Sequence, residues 1–345
     1  MEDNITGKTI LLITLTRMPV KYQMREVLLS LGAKEVILKN LVSVKGLRGK
    51  LSLRAFYHYL RNPHERDNKT KMLINEIGDR KIDTLLCVEN LQFSKWLLDY
   101  LREKNPDVKL VMFFWDKVNK HYEGFDDYFP KFDKIFSFDR DDAKKYGFEY
   151  YPDFYFGVIQ PSEECTYDIA FVGRLRNDET LNRAFLIRQV QAFCDDNKLK
   201  HYLRLRTLDK TASKKNPIKK FYRERKEKKY WDVVKEYEKY GFIFYDDIPL
   251  DEVDEIYNHS RVILDTAYPG RQGMTLNAIV ALAKGKKLIT CNKRIKEEPF
   301  YDPDMIYILD EDNPHFDIEF FNRPNKKVDM SYLRMDNWLK HLING

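Results

Sequence analysis

Short, almost wholly apolar runs alternate along this chain with segments of helical periodicity, and that alternation is the strongest constraint on its fold. Residues 8–15, 35–38, 84–88, 109–115 and 134–138 read as buried strands rich in β-branched and aromatic side chains. Between them, 22–31 (stopped by Gly32), 70–79, and a stretch from an N-capping Ser94 to about Lys104 (closed by Asn105-Pro106) carry helical spacing. Strands without a polar face need cover on both sides, so the pattern predicts a parallel sheet between two helix layers.

A second series starts after Pro161-Ser162-Glu163-Glu164. Strands are expected over 167–173, 201–205, 242–245, 262–265, 287–290 and 306–309, with helices over 182–195, 250–258 and 274–284. There is no internal sequence repeat, yet the architecture repeats. At 345 residues the chain exceeds one core of ~150 residues. The expectation is an α/β protein of two tandem doubly wound, Rossmann-like domains facing a central cleft. The first takes residues 1–160 and the second 161–325. A terminal helix within 326–345 is placed to pack back across the junction.

Composition narrows the class. A hydrophobic share of 43% with 33% charged residues excludes a disordered chain. No apolar run approaches the ~18 residues needed to span a bilayer. The start, Met1-Glu2-Asp3-Asn4, is acidic where a secretory signal is basic, and the apolar stretch 10–15 is shorter than a signal core. Cys87, Cys165, Cys194 and Cys291 are scattered without metal-ligand spacing, and the seven histidines form no HxH or HExxH pattern. A cytoplasmic protein without a metal site or other cofactor is expected.

Charge is informative by region. Residues 204–229 hold 12 Lys/Arg and 3 Asp/Glu, while 48 basic and 51 acidic residues lie elsewhere. One strongly basic segment on a mildly acidic chain points to a local anionic partner. With Phe221, Tyr222, Tyr230 and Trp231 interleaved, it suits an anionic membrane surface, and it equally suits a solvated loop followed by a helix. No RNP-like or KH-like motif supports a nucleic-acid partner.

Open parallel sheets bind ligands beyond the carboxyl ends of their strands, so residues just after strands are the candidates. After the strand at 167–173 come Gly173, Arg174, Leu175 and Arg176, with Arg183 further along. Glycine there admits a ligand to the backbone and the guanidinium groups match phosphate oxygens; the alternative is a set of surface arginines. After the strand ending at Asp265, the run Tyr268-Pro269-Gly270-Arg271-Gln272-Gly273-Met274-Thr275 opens a helix. Free amides at that helix start, with the Thr275 hydroxyl, form an anion site suited to a diphosphate. Neither GxxxxGK[ST] nor GxGxxG occurs. In the first half, Trp115-Asp116 follows a strand: Asp116 is placed to act as a general base or to bind sugar hydroxyls, or else caps a helix beside a core tryptophan. Thr16-Arg17 and Glu89-Asn90 are similarly placed.

Three blocks of sequence carry a family resemblance. The first is Phe113-Phe114-Trp115-Asp116, then 132–147, then Tyr151-Pro152-Asp153-Phe154-Tyr155. The second is Tyr167-Asp168-Ile169-Ala170-Phe171-Val172-Gly173. The third is Val262-Ile263-Leu264-Asp265 with Pro269-Gly270-Arg271-Gln272-Gly273-Met274-Thr275 and 286–292. In that order they resemble bacterial lipopolysaccharide and capsular polysaccharide biosynthesis proteins with a glycosyltransferase-B-like fold, over about residues 80–312. The resemblance implies a nucleotide-sugar donor held by the C-terminal domain and a glycan or lipid-linked acceptor at the N-terminal one. It also implies metal-independent hexosyl transfer in which Arg174, Arg176 or Arg183, with Gly273 and Thr275, stabilises the departing diphosphate. Proteins of this kind often carry an acidic residue for the nucleotide ribose on the helix after the glycine turn. Here Val280 stands in that place, which keeps open a non-catalytic, glycan- or nucleotide-binding alternative with a degenerate donor site.

Overall fold

The computed structural model describes residues 4–14, 20–39, 62–89, 91–118, 125–156, 164–175, 181–207, 228–266 and 273–345. The chain divides into two compact units, one formed by Met1–Phe156 with Tyr332–Gly345 and the other by Gly157–Ser331.

The first unit is built on six parallel strands, β1 (Thr9–Thr14), β2 (Glu35–Lys39), β3 (Thr84–Val88), β4 (Lys109–Phe114), β5 (Lys134–Ser137) and β6 (Glu149–Tyr150), in the order β2-β1-β3-β4-β5-β6. Every residue of β1 and β3 is buried, as two-sided cover requires. The helices are α1 (Val20–Ser30), α2 (Pro63–Ile77), α3 (Trp96–Lys104) and α4 (Arg140–Tyr146). Helix α2 begins seven residues before the apolar spacing shows it. Asn62 caps it by accepting from the His64 amide, and Pro63 pre-sets its first turn. Ser94 does not cap α3. Its hydroxyl donates to the Asp67 carboxylate and its amide to the Thr70 hydroxyl at 2.8 Å, tying the loop to α2 instead.

The second unit carries β7 (Tyr167–Arg174), β8 (His201–Arg206), β9 (Ile243–Phe244), β10 (Ser260–Asp265), β11 (Lys287–Thr290) and β12 (Ile306–Ile308). All pair in parallel in the order β12-β11-β10-β7-β8-β9. Its helices are α5 (Asn182–Asp196), α6 (Lys228–Glu238), α7 (Leu250–Asn258), α8 (Leu276–Ala283) and α9 (Ile318–Asn322). The strand order reverses direction between β7 and β10, and such a reversal opens a crevice at the strand ends.

The last helix, α10 (Met335–Asn344), belongs to the first unit. The chain re-enters there through a bridge between Tyr155 and Arg334, and the Met335 amide donates to the Tyr155 carbonyl at 2.9 Å. Trp338 is fully buried between Phe113 and Phe154, at ring-centroid distances of 4.7 and 4.5 Å. Its indole N–H reaches the Pro152 carbonyl at 3.0 Å, as a buried tryptophan needs.

Candidate functional site

In the second unit, Arg183, Asp265, Thr275 and Thr290 meet in hydrogen bonds around the ends of β7 and β10. Gly173 lies near the end of β7, and a Cβ there would stand 2.4 Å from the Phe171 ring. The glycine that sequence reasoning reserved for a ligand therefore makes room for an aromatic side chain of the core. Arg183, in the first turn of α5, donates to the Arg174 carbonyl at 2.9 Å and to the Thr266 carbonyl at 2.6 Å. One guanidinium thus ties the two strand ends that flank the crevice. Its charge stays at their carboxyl edge while two of its donors hold backbone.

Asp265, the last residue of β10, is buried. It accepts from the Thr275 hydroxyl at 2.6 Å and the Thr290 hydroxyl at 3.0 Å. Burial pushes its pKa up, against the two hydroxyls and the nearby Arg183 charge. Thr275 also caps α8, its oxygen accepting from the Ala278 amide at 3.1 Å. The hydroxyl proton expected to meet a ligand is therefore engaged with Asp265, and the side chain fixes the helix start relative to β10. Asn292 adds a second tie through its amide to the Gly273 carbonyl at 3.4 Å. Met274 is buried, so its contribution to an anion site is limited to the backbone. The amides of Leu276 and Asn277 have no acceptor inside the helix, as at every helix start. Rigid strand ends and a pinned helix N-terminus together make a cationic, donor-rich edge suited to an anion. Arg176, Thr16-Arg17, Asn90 and residues 267–272 lie outside the described residues.

Four participants escaped the sequence reading. Arg206 at the end of β8 and Arg174 at the end of β7 are register partners, and both reach Asp247, at 2.9 and 3.2 Å. Thr290 supports Asp265 from the next strand. Glu311, after β12, has its pKa raised by burial and partly offset by Arg183. Arg206 and Thr290 end their strands and Asp247 and Glu311 come soon after theirs, which was the available signal, but which strands are neighbours was not visible in sequence.

In the first unit the corresponding edge is acidic. Glu89, after β3, is buried and adopts φ 51°, a left-handed conformation uncommon outside glycine and asparagine. Its carboxylate accepts from the amides of Trp115 and Asp116 at 3.0 and 3.2 Å. Asp142 accepts from the Val118 amide at 2.6 Å, with its pKa raised by burial, and Lys117 pairs with the buried Asp139 at 3.5 Å. Two carboxylates thus hold the turn after β4 and fix the backbone that carries Asp116. That side chain takes the Lys117 amide at 3.1 Å and is partly exposed together with Trp115, so the tryptophan is not a core residue.

Most of the basic segment, residues 208–227, also lies outside the described residues. At its ends, Arg204 stacks over Phe244 at 4.2 Å. Tyr230 is buried, with its hydroxyl on the Leu175 carbonyl at 3.2 Å, so this aromatic belongs to the core and not to a membrane face. Among the described residues no helix is long and apolar enough to cross a membrane.

No protein-family model matches the sequence, and no curated protein matches it. Solved structures share its fold. The N-terminal domain of Candida albicans trehalose-6-phosphate phosphatase aligns at 11% identity over 98% of this chain and 96% of its own, with a TM-score of 0.57. An α,α-trehalose-phosphate synthase (UDP-forming) from Burkholderia vietnamiensis aligns at 10% over 98% and 94%, with a TM-score of 0.52. UDP-GlcNAc 2-epimerase from Methanocaldococcus jannaschii aligns at 11% over 98% and 100%, with a TM-score of 0.50. With its two all-parallel six-stranded sheets, the chain has the glycosyltransferase-B fold. At these identities the likeness defines the fold, and the site must argue for the chemistry.

Proposed function

We propose that this protein is a glycosyltransferase that moves a sugar from a nucleotide-diphosphate donor to a surface polysaccharide or its lipid-linked glycan precursor. The observation that carries the reading is the β7–β10 edge, where Arg183 joins both strand ends beside Arg174 and the pinned start of α8. Transfer needs a diphosphate to leave with its negative charge, and preformed cations and amides stabilise that charge without reorganising. In this reading arginine charge and the helix start take the place of a metal ion. Two of the structural neighbours, by their names, release UDP or act on UDP-GlcNAc, which supports a nucleotide sugar as the ligand class. Asp116 is proposed as the acceptor contact or base, held by the Glu89-anchored turn.

The polysaccharide acceptor rests on the sequence blocks that resemble lipopolysaccharide and capsule biosynthesis proteins. Docking of the cytoplasmic protein at an anionic inner membrane surface rests on the charge of residues 204–229. Val280, half-buried on α8 where a ribose-binding carboxylate is expected, favours one second reading: a non-catalytic protein with a degenerate donor site.

Thermal unfolding with UDP, GDP, CDP and CMP in turn tests the proposal. A nucleotide at ~100 times its dissociation constant adds ~2.7 kcal/mol of stability. A shift with one nucleotide names the donor class, whereas no shift with any of them overturns the transferase reading in favour of the non-catalytic one.

A further inference from the structure

We infer that Arg206 is a further cation of the diphosphate site, beside Arg174 and Arg183, and that Asp247 is its resident counter-anion, displaced when a diphosphate binds. Arg174 and Arg206 end neighbouring strands, β7 and β8, in direct register, so their side chains leave the same face of the sheet. Both guanidinium groups converge on a single oxygen, Asp247 Oδ1, at 3.2 and 2.9 Å. Asp247 comes from a different element, the turn between β9 and α7, and its side chain is 59% exposed. Arg174 donates a hydrogen bond to that oxygen, while Arg206 stands within ion-pair distance with its Nε–H not aligned to it. An anionic oxygen therefore already sits between two arginines and leaves an Arg206 donor for a ligand to engage. Arginine pairs are suited to phosphate oxygens for the same geometric reason that they suit a carboxylate.

The arrangement is reversible by its exposure. The side chains of Arg174 and Arg206 are 53% and 31% exposed, and an exposed ion pair biases an equilibrium by only a factor of about two to five. A diphosphate carries more charge than one carboxylate and displaces it at small cost. While the site is empty, Asp247 holds both arginines in a ligand-ready arrangement and limits their attraction for unrelated anions. The inference rests on the diphosphate-site reading of the β7–β10 edge, and assigns to it two residues that the sequence patterns did not single out.

The test is calorimetric titration of the full chain with inorganic pyrophosphate. Asp247→Asn keeps the size of the side chain and removes its charge, and its expected effect is a five- to tenfold tighter dissociation constant, about what loss of two exposed pairs allows. Adding Arg206→Ala to that variant should abolish the gain. An affinity unchanged in Asp247→Asn overturns the inference, and so does a gain that survives Arg206→Ala. Parallel titrations with nucleoside diphosphates separate the two claims: a pyrophosphate gain without any nucleotide binding supports the inference and overturns the nucleotide-sugar reading.

Discussion

Arg183 ties two strand ends together at the edge proposed to hold the diphosphate. Its hydrogen bonds to Arg174 and Thr266 join chain positions 83 residues apart in the second case. Arg183→Ala should cost about 1–3 kcal/mol in urea unfolding, because two carbonyls lose a charged donor. Arg183→Lys should recover only part of that, since an ammonium cannot span both carbonyls as a planar fork does. Gly173→Ala should cost about 1–3 kcal/mol through its clash with Phe171, and Phe171→Leu in the same chain should remove most of the penalty; a double-mutant cycle measures this. Lys287 gives a pH signature. It is buried with its ammonium on the Phe320 and Arg323 carbonyls, and burial lowers its pKa from 10.5 to about 8. Between these values the unfolded chain binds the proton and the folded chain does not, so stability gained from this group rises with pH across that window. Denaturant midpoints at pH 7.5 and 10 should show wild type gaining on Lys287→Met; a constant difference would refute the assignment.

At the scale of elements, the terminal helix α10 is the piece whose role local sequence conceals most. Its apolar residues Met335, Trp338, Leu339, Leu342 and Ile343 are all buried, which marks it as a docked helix without saying where it docks. Phe113 on β4 and Phe154 near the end of the first segment receive Trp338, so the last residues complete the core of the first unit. Trp338→Ala should destabilise that unit by about 3–5 kcal/mol, and hydrogen exchange should place the lost protection on β4 and α10 and leave β10 and β11 unchanged. Helix α8 makes the complementary case. Its start was legible from glycine and threonine, but the Thr275 hydroxyl is turned to Asp265 because a buried carboxylate requires donors more than an open edge does.

For the whole molecule, the basic segment carries the proposed docking at an anionic membrane surface. If residues 204–229 hold it to an anionic membrane, reversing four lysines within 214–229 should move it from vesicle pellet to supernatant, at ~1 kcal/mol per residue. Co-sedimentation with vesicles containing phosphatidylglycerol reads this directly, and unchanged partitioning would sink the docking proposal. Restoring a carboxylate with Val280→Glu should tighten the binding of whichever nucleotide stabilises the wild type, and an unchanged affinity would remove the role assigned to that position.

The alternation of apolar runs and helical spacing determined the class of fold by itself. Strands buried on both faces need two helix layers, and β3 and β11 fall at the residues where their apolar runs begin and end. The same runs marked strand ends, and hence Asp116, Arg174 and Asp265, as the positions to inspect. The two-residue strand β6 was not legible, because so short an edge strand has no pattern of its own. Strand neighbourhood was decided only in three dimensions. The pairing of β7 with β10 brings Arg183 to Thr266, and the pairing of β7 with β8 brings Arg174 and Arg206 to Asp247, 73 residues from Arg174. Local sequence encodes which residues avoid water, whereas the partner of a buried donor or an exposed charge is fixed by non-local packing.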